Sequence, residues 1–238
     1  MSSVEPFFSE FPLGWEMSIA ERFALTGMLA RLRPKVALEI GTHFGGSLQA
    51  LAAHCDEVHS IDIDPTVRSE LAPKFPNVHF HTGPSQTLVP QVLADIAQRG
   101  HCLEFVLVDG DHTASGVKAD VEAILHHTPL TTLHIVMHDS FNPDCRRGLK
   151  SVDWQSHPHV HSVELDFVVG NFHARPQGGA FARSMWGGFA HAVVKSEARA
   201  GSLSVTASAE PLQRIVYRAS AHRIWHKVWR RLSRRISG

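Results

Sequence analysis

A chain of 238 residues, 43% of them apolar, can bury one good core and sits near the upper end of what a single α/β domain needs. Lysine plus arginine and aspartate plus glutamate each number 23, giving formal neutrality, and no apolar run approaches the ~20 residues that cross a bilayer. The start, MSSVEPFFSEF, lacks the positive region and apolar stretch of a secretory leader, and Cys55, Cys102 and Cys145 show no close metal-ligand spacing, so a cytoplasmic protein with reduced thiols is expected.

Residues 1–17 are aromatic and irregular. Ser18 followed by Glu21 makes a capping box that opens a helix to about Arg31, which Pro34 ends. Strands and helices then alternate: strand Val36 to Ile40, helix Ser47 to His54, strand Glu57 to Ile63, and a helix Pro65 to Lys74 with proline in its first turn. Strand Asn77 to His81 precedes a helix from about Leu88 to Gln98. The apolar strand Leu103 to Val108, helix Ala114 to His126 and strand His134 to Met137 complete the series. Such alternation over about 100 residues specifies a mostly parallel sheet with helices on both faces, whose ligands bind at the carboxyl ends of the strands. His161 to Val169 and Phe189 to Lys195 read as an antiparallel pair at one side of the sheet, joined by an irregular loop.

The first strand runs directly into Glu39-Ile40-Gly41-Thr42-His43-Phe44-Gly45-Gly46-Ser47, a glycine turn and a helix start. Glycines let a ligand approach the backbone, and the helix offers free N–H groups. The dinucleotide spacing G-x-G-x-x-G is absent, and an acid at Glu39 disfavours phosphate and suits a cationic ligand. About 20 residues on, Asp62 ends the second strand, where a carboxylate accepts the hydroxyls of a ribose, while Asp64 caps the following helix. Gly83 and Ser85, past the third strand, border the same crevice. Asp109-Gly110-Asp111-His112 and His138-Asp139-Ser140 follow the two neighbouring central strands, so Asp109, His138 and Asp139 are placed to converge on a cation with His112 one turn away. The blander alternative is that Asp111 and Asp139 cap the elements after their strands and that the histidines are two of 18.

Glu39-x-Gly41-x-x-x-Gly45, the strand-end Asp62 and Asp109 in LVDGDH resemble class I S-adenosylmethionine-dependent methyltransferases over about residues 30 to 196. The fold implied is a Rossmann-like, mostly parallel seven-stranded sheet with an antiparallel C-terminal strand pair. The cofactor contacts implied are Glu39, Gly41, Thr42, Gly45, Ser47, Asp62, Gly83, Ser85 and Asp109. The DGDH and HDS motifs resemble the metal-dependent O-methyltransferase branch that includes macrolide-sugar methyltransferases and cephalosporin-hydroxylase-like proteins. That likeness implies Mg²⁺, or Mn²⁺, on Asp109, His138 and Asp139, and His112 as the base, with His138 and Asp109 also in the catalytic set. His138 departs from the branch, which more often has an acid or amide there; imidazole suits a softer metal, and a base or substrate-contact role stays open.

The expected reaction is methyl transfer to a hydroxyl of a sugar, glycan or natural product. A non-catalytic binding module and a nitrogen or protein acceptor remain as rivals, although no Asn-Pro-Pro-Tyr-type motif is present. The loop 170–188, with Phe172, Phe181 and Trp186, suits an acceptor ring or a dimer contact, and Asp153 and Trp154 lie near its rim. Three segments are expected: a helical extension 1–33, the cofactor-binding domain 34–196 and a tail 197–238. The tail gathers basic residues from Arg214 to Arg235 and carries Trp225, Val228, Trp229 and Leu232 at helical spacing. It suits docking on the acidic body, a partner subunit, or an anionic membrane or glycolipid. The acidic body argues against nucleic acid.

Overall fold

The computed structural model describes residues 8–173 and 183–222. Helix α1 (Ile19–Leu32) is capped as its sequence specifies: Ser18 Oγ accepts from the Glu21 amide and Glu21 returns to the Ser18 amide. There follow β1 (Val36–Ile40), α2 (Gly46–His54), β2 (Glu57–Asp62), α3 (Pro65–Leu71), β3 (Val78–Thr82), α4 (Ser85–Gln98), β4 (Leu103–Val108), α5 (Ala114–Leu125), β5 (Leu133–His138) and α6 (Pro143–Ser151). The last part holds β6 (Val160–Val168), β7 (Asn171–His173), β8 (Ser184–Trp186), β9 (Phe189–Val194), β10 (Val205–Thr206) and α7 (Glu210–Ala219).

The main sheet has the order β10-β6-β9-β5-β4-β1-β2-β3. Every neighbouring pair is parallel except those of β9, which runs antiparallel to both β5 and β6. The expected Rossmann-like architecture is therefore present with eight strands rather than seven. The extra strand, β10, adds two residues in parallel beside β6. The antiparallel neighbours β6 and β9 lie where expected, but the connection between them is not wholly irregular, since β7 and β8 form a separate hairpin. Helix α4 begins at Ser85 rather than near Leu88, because Asp120 of α5 accepts from Ser85 Oγ at 2.6 Å and from Gln86 Nε2 at 3.1 Å. Those side-chain bonds fix a first turn that a proline at position 90 obscures in the sequence. The amphipathic tail segment around Trp225 and Trp229, and Phe181 in the loop, lie outside the described residues.

Strand period sorts the core into two layers. Val36, Leu38 and Ile40 of β1 face the side covered by Val89, Val92 and Ile96 of α4, Val117 and Val121 of α5, and Leu149 of α6. Ala37 faces the other side with Leu25 and Leu29 of α1, Leu48 and Leu51 of α2 and Leu71 of α3. Helix α1 is thus part of the second layer. Trp154 is also core: it is buried and its indole N–H donates to the Leu149 carbonyl at 2.8 Å, while Asp153 caps the short 3₁₀ turn 154–156. Among the described residues, no helix is long and apolar enough to cross a membrane.

Histidines pair across neighbouring strands. His59 on β2 bonds His81 on β3 at 3.0 Å and Glu57 at 2.7 Å, and His134 on β5 bonds His191 on β9 at 3.1 Å, the two rings stacked with centroids 5.3 Å apart. Burial, reinforced by the neighbouring imidazoles, pushes His59 and His191 down to about 4. In an unfolded chain they titrate near about 6.5. Between those values the unfolded chain binds more protons, so their stabilisation is complete above about pH 6.5 and is lost as pH falls toward 4. The melting temperature, followed by circular dichroism from about pH 7 to about 4.5, is expected to drop, and to drop less steeply in His191→Phe. Equal slopes in the two proteins would acquit the His134–His191 pair.

Candidate functional site

The site lies at the carboxyl ends of β1, β2, β4 and β5, where the strands give way to turns. After β1 the chain passes through Gly41 (φ 86°), His43 (φ 49°) and Gly45 (φ 81°) before entering α2. A side chain on Gly41 would fall on the Asp109 carbonyl oxygen, and one on Gly46 would lie 2.5 Å from the Gly14 carbonyl oxygen. Backbone alone can pass here.

Glu39 is fully buried at the base of this turn. Ser47 Oγ donates to its Oε1 at 2.6 Å, and Oε2 has no partner. Burial pushes the carboxyl up to about 8 despite the Ser47 bond, with the Asp109 and Asp62 charges adding to the rise. An unpartnered buried carboxylate oxygen costs several kcal/mol unless a donor or cation meets it, so Glu39 is built for a cationic or N–H-bearing ligand. Asp62 accepts from the Thr42 amide at 2.8 Å and the His43 amide at 3.0 Å through Oδ2, and from the Asp64 amide at 2.9 Å through Oδ1. Thr42 Oγ1 meets Ser60 Oγ at 2.6 Å. Ile63, 74% exposed, directly follows this carboxylate in the chain, and Phe44, 58% exposed, directly follows His43, whose amide the carboxylate accepts from. These two apolar surfaces escaped the sequence reading; an apolar residue directly after a strand-end acid was the available signal. Gly83 closes the crevice through its amide bond to the Asp62 carbonyl, and Ser85 points its hydroxyl to Asp120.

At the ends of β4 and β5 the predicted quartet comes together. His138 Nδ1 lies 2.9 Å from Asp109 Oδ1. His112 Nε2 lies 3.4 Å from the same oxygen and 3.0 Å from Asp139 Oδ2. One ligand atom each from Asp109, His138 and Asp139 fall within 4.8 Å of one another. Asp139 adopts φ 57°, an uncommon conformation for a residue with a side chain, and the Gly187 amide donates to its Oδ1 at 2.5 Å. Asp139 therefore faces the site, and Asn142 is the residue that caps α6. Asp111 does not cap α5 either: it accepts from the Thr113 amide and hydroxyl, and Thr113 is the cap, its Oγ1 accepting from the Gly116 amide. Hydrogen bonds to Asp109 and Asp139 lift His112 to about 10. Burial would push His138 down, but the charges of Asp109 and Asp139 override it and hold this imidazole well above its usual range. Trp186 stands edge-on to His112 with ring centres 5.6 Å apart.

A fifth member came unannounced. Glu21 of α1, legible in sequence only as a helix cap, bonds His138 Nε2 at 2.9 Å. Nothing local could show this contact, which spans 117 positions.

Residues 38–140 match the family model of a methyltransferase domain. Among solved structures, a cofactor-bound protein from MTB superposes with a TM-score of 0.56 at 18% identity, covering 79% of this chain and 86% of that one. The O-methyltransferase from Bacillus cereus, in complex with SAH, gives 0.54 at the same identity and coverage. No curated protein matches the chain in sequence. Residues 38–140 are thus similar to a methyltransferase domain, and the chain has the Rossmann-like α/β fold of these solved structures.

The turn's need for bare backbone is testable. Gly41→Ala combines left-handed strain with a backbone clash and is expected to cost about 2 kcal/mol or more, lowering the melting temperature by ~5 °C. An unchanged melting temperature would mean that the turn relaxes at no cost.

Proposed function

We propose that this methyltransferase domain uses S-adenosylmethionine to methylate a hydroxyl group of a sugar, glycan or natural-product acceptor, with a divalent cation and His112 assisting. The observation that carries this reading is the convergence of Asp109, Asp139, His112 and His138 beside the Glu39 turn. Orphaned Glu39 Oε2, the Gly41 cradle and strand-end Asp62 suit the cofactor: Glu39 its ammonium, Asp62 its ribose hydroxyls, and Ile63 an apolar flank of its base. When bound, the cofactor supplies an electrophilic methyl group on a sulfonium.

The donor set of Asp109, Asp139 and His138 fits a divalent cation, and one imidazole among oxygens favours Mn²⁺ over Mg²⁺. Such an ion would supply positive charge that acidifies the acceptor hydroxyl. The same charge bears on His112. Raised to about 10, His112 keeps its proton at neutral pH while Asp109 and Asp139 both hold it. Once those carboxylates are balanced by a cation, the imidazole is free to take the acceptor's proton. Trp186, on the hairpin β7–β8, offers an aromatic edge against which an acceptor ring can orient, and orientation supplies much of the acceleration in an in-line displacement.

Three outcomes follow for the full-length protein. S-adenosylhomocysteine binding, measured by calorimetry, should tighten by up to about tenfold per pH unit between about pH 6 and 8, because a cationic ligand requires ionised Glu39. Glu39→Gln should bind more weakly with no such slope; a parent protein that does not bind at all would sink the methyltransferase reading. Asp109→Asn with Asp139→Asn should abolish Mn²⁺ binding and leave cofactor binding measurable, and retained Mn²⁺ affinity would remove the metal site. In an acceptor screen with Mn²⁺, His112→Ala should lower kcat by about 10²–10⁴-fold. Full activity at saturating acceptor would exclude His112 as base.

A further inference from the structure

Glu21 lies in α1, before the segment that matches the methyltransferase family, yet it is only 1% exposed and its carboxylate is fully engaged at the site. Oε2 accepts from the Ser18 amide at 2.6 Å, the half of the capping box that faces the helix. Oε1 accepts from His138 Nε2 at 2.9 Å and from the Gly188 amide at 2.5 Å. A cap needs only the first of these bonds. A glutamate whose sole task was to cap α1 would sit at the surface, since burying a carboxylate costs several kcal/mol unless donors replace the lost water.

The second oxygen gathers two parts of the site. Gly187 donates its amide to Asp139 and Gly188 donates to Glu21, so the turn after β8 is held by both carboxylates at once. Both glycines have positive φ, 74° and 83°, and a side chain on Gly187 would come within 2.8 Å of Glu21 Oε1. His138 is held between Glu21 on one ring nitrogen and Asp109 on the other. With Nε2–H committed to Glu21, Nδ1 is the nitrogen turned to Asp109 and Asp139. A carboxylate on the far ring nitrogen orients a ligating or catalytic imidazole in this way.

We propose that Glu21 is a positioning residue of the active site: it fixes the ring of His138 with Nδ1 toward Asp109 and Asp139, and it locks the Gly187–Gly188 turn that holds Asp139. The site is then complete only with the N-terminal helix in place. The hydrogen-bond geometry stands by itself; its value for cation binding rests on the metal reading above.

The test uses full-length, ¹⁵N-labelled protein without metal. A downfield, slowly exchanging ring N–H of His138, assigned by its loss in His138→Gln, is expected in the parent and in Ser18→Ala, which weakens the cap without touching His138. Glu21→Gln should shift that signal upfield with faster exchange, and Glu21→Ala should lose it. Calorimetry should show Mn²⁺ affinity falling about 10–100-fold in Glu21→Ala, with S-adenosylhomocysteine affinity unchanged as evidence that the domain is folded. Absence of the ring N–H in the parent overturns the proposal, as does its persistence in Glu21→Ala. Loss of the signal in a parent-like background that never binds Mn²⁺ sustains the positioning role and rejects only the metal reading.

Discussion

The geometry at the carboxyl ends of β4 and β5 rests on one constraint: charges taken out of water must be paired where they stand. Glu21, Asp109 and Asp139 arrive from α1 and from the ends of β4 and β5, and two imidazoles lie among them. Burial alone would raise Glu21 and Asp109, but the bonds and charge of the imidazoles, His138 foremost, hold both below their ordinary values. The left-handed backbone at Asp139 and the double-glycine turn at Gly187 and Gly188 are consequences, since only those conformations aim carboxylate and amide at each other. Strain tolerated in this way marks a site over-determined by its surroundings.

Most of this frame is legible in the sequence because it is local. Apolar period along β1 to β5, prolines at helix starts and the Ser18–Glu21 box specify the elements, and the chemistry-bearing residues follow strand ends, where ligands collect in a parallel sheet. Long-range pairing is not local. β10 is two residues long and exists only because β6 offers an open edge, and the strands of the β7–β8 hairpin are three residues each, too short for a period to show. Ser85 reads as loop because its helix start depends on Asp120, 35 positions away. Glu21 is the sharpest case. Its capping signature is complete, so nothing in the sequence asks for a second partner.

A second buried ion-pair network secures the same end of the sheet from the far side. Arg146 of α6 pairs with Asp166 on β6 at 2.7 Å and with Glu210 at the start of α7 at 2.9 Å, while donating to the Ser140 carbonyl at 3.4 Å. Lys150 adds a contact to Glu210 at 2.8 Å, and these two cations hold Glu210 at about 2 against its partial burial. The peptide after Asp139 is thus braced by α7, and the charge balance of the active site and of the C-terminal helix meet at Ser140. Breaking a buried pair by deleting one partner is costly, which ties α7 to α6 and β6.

The histidines show why residue counts say little about function in such a chain. His59 and His191 sit in sheet surroundings whose imidazole neighbours add to the cost of a proton, and both are pushed down to about 4. Carboxylates face both His112, which is exposed, and His138, which is buried, and both are pushed up. Neutral histidine is a flat, half-apolar side chain that stacks across strands. Histidine between carboxylates holds its proton more tightly and keeps two acids close together. The division follows position along the strands: stacked pairs lie within β2, β3, β5 and β9, whereas the charged pair lies where β4 and β5 end and backbone direction brings Asp109 and Asp139 together. Function here is a property of the strand end, and imidazole takes whichever form the nearest charges stabilise.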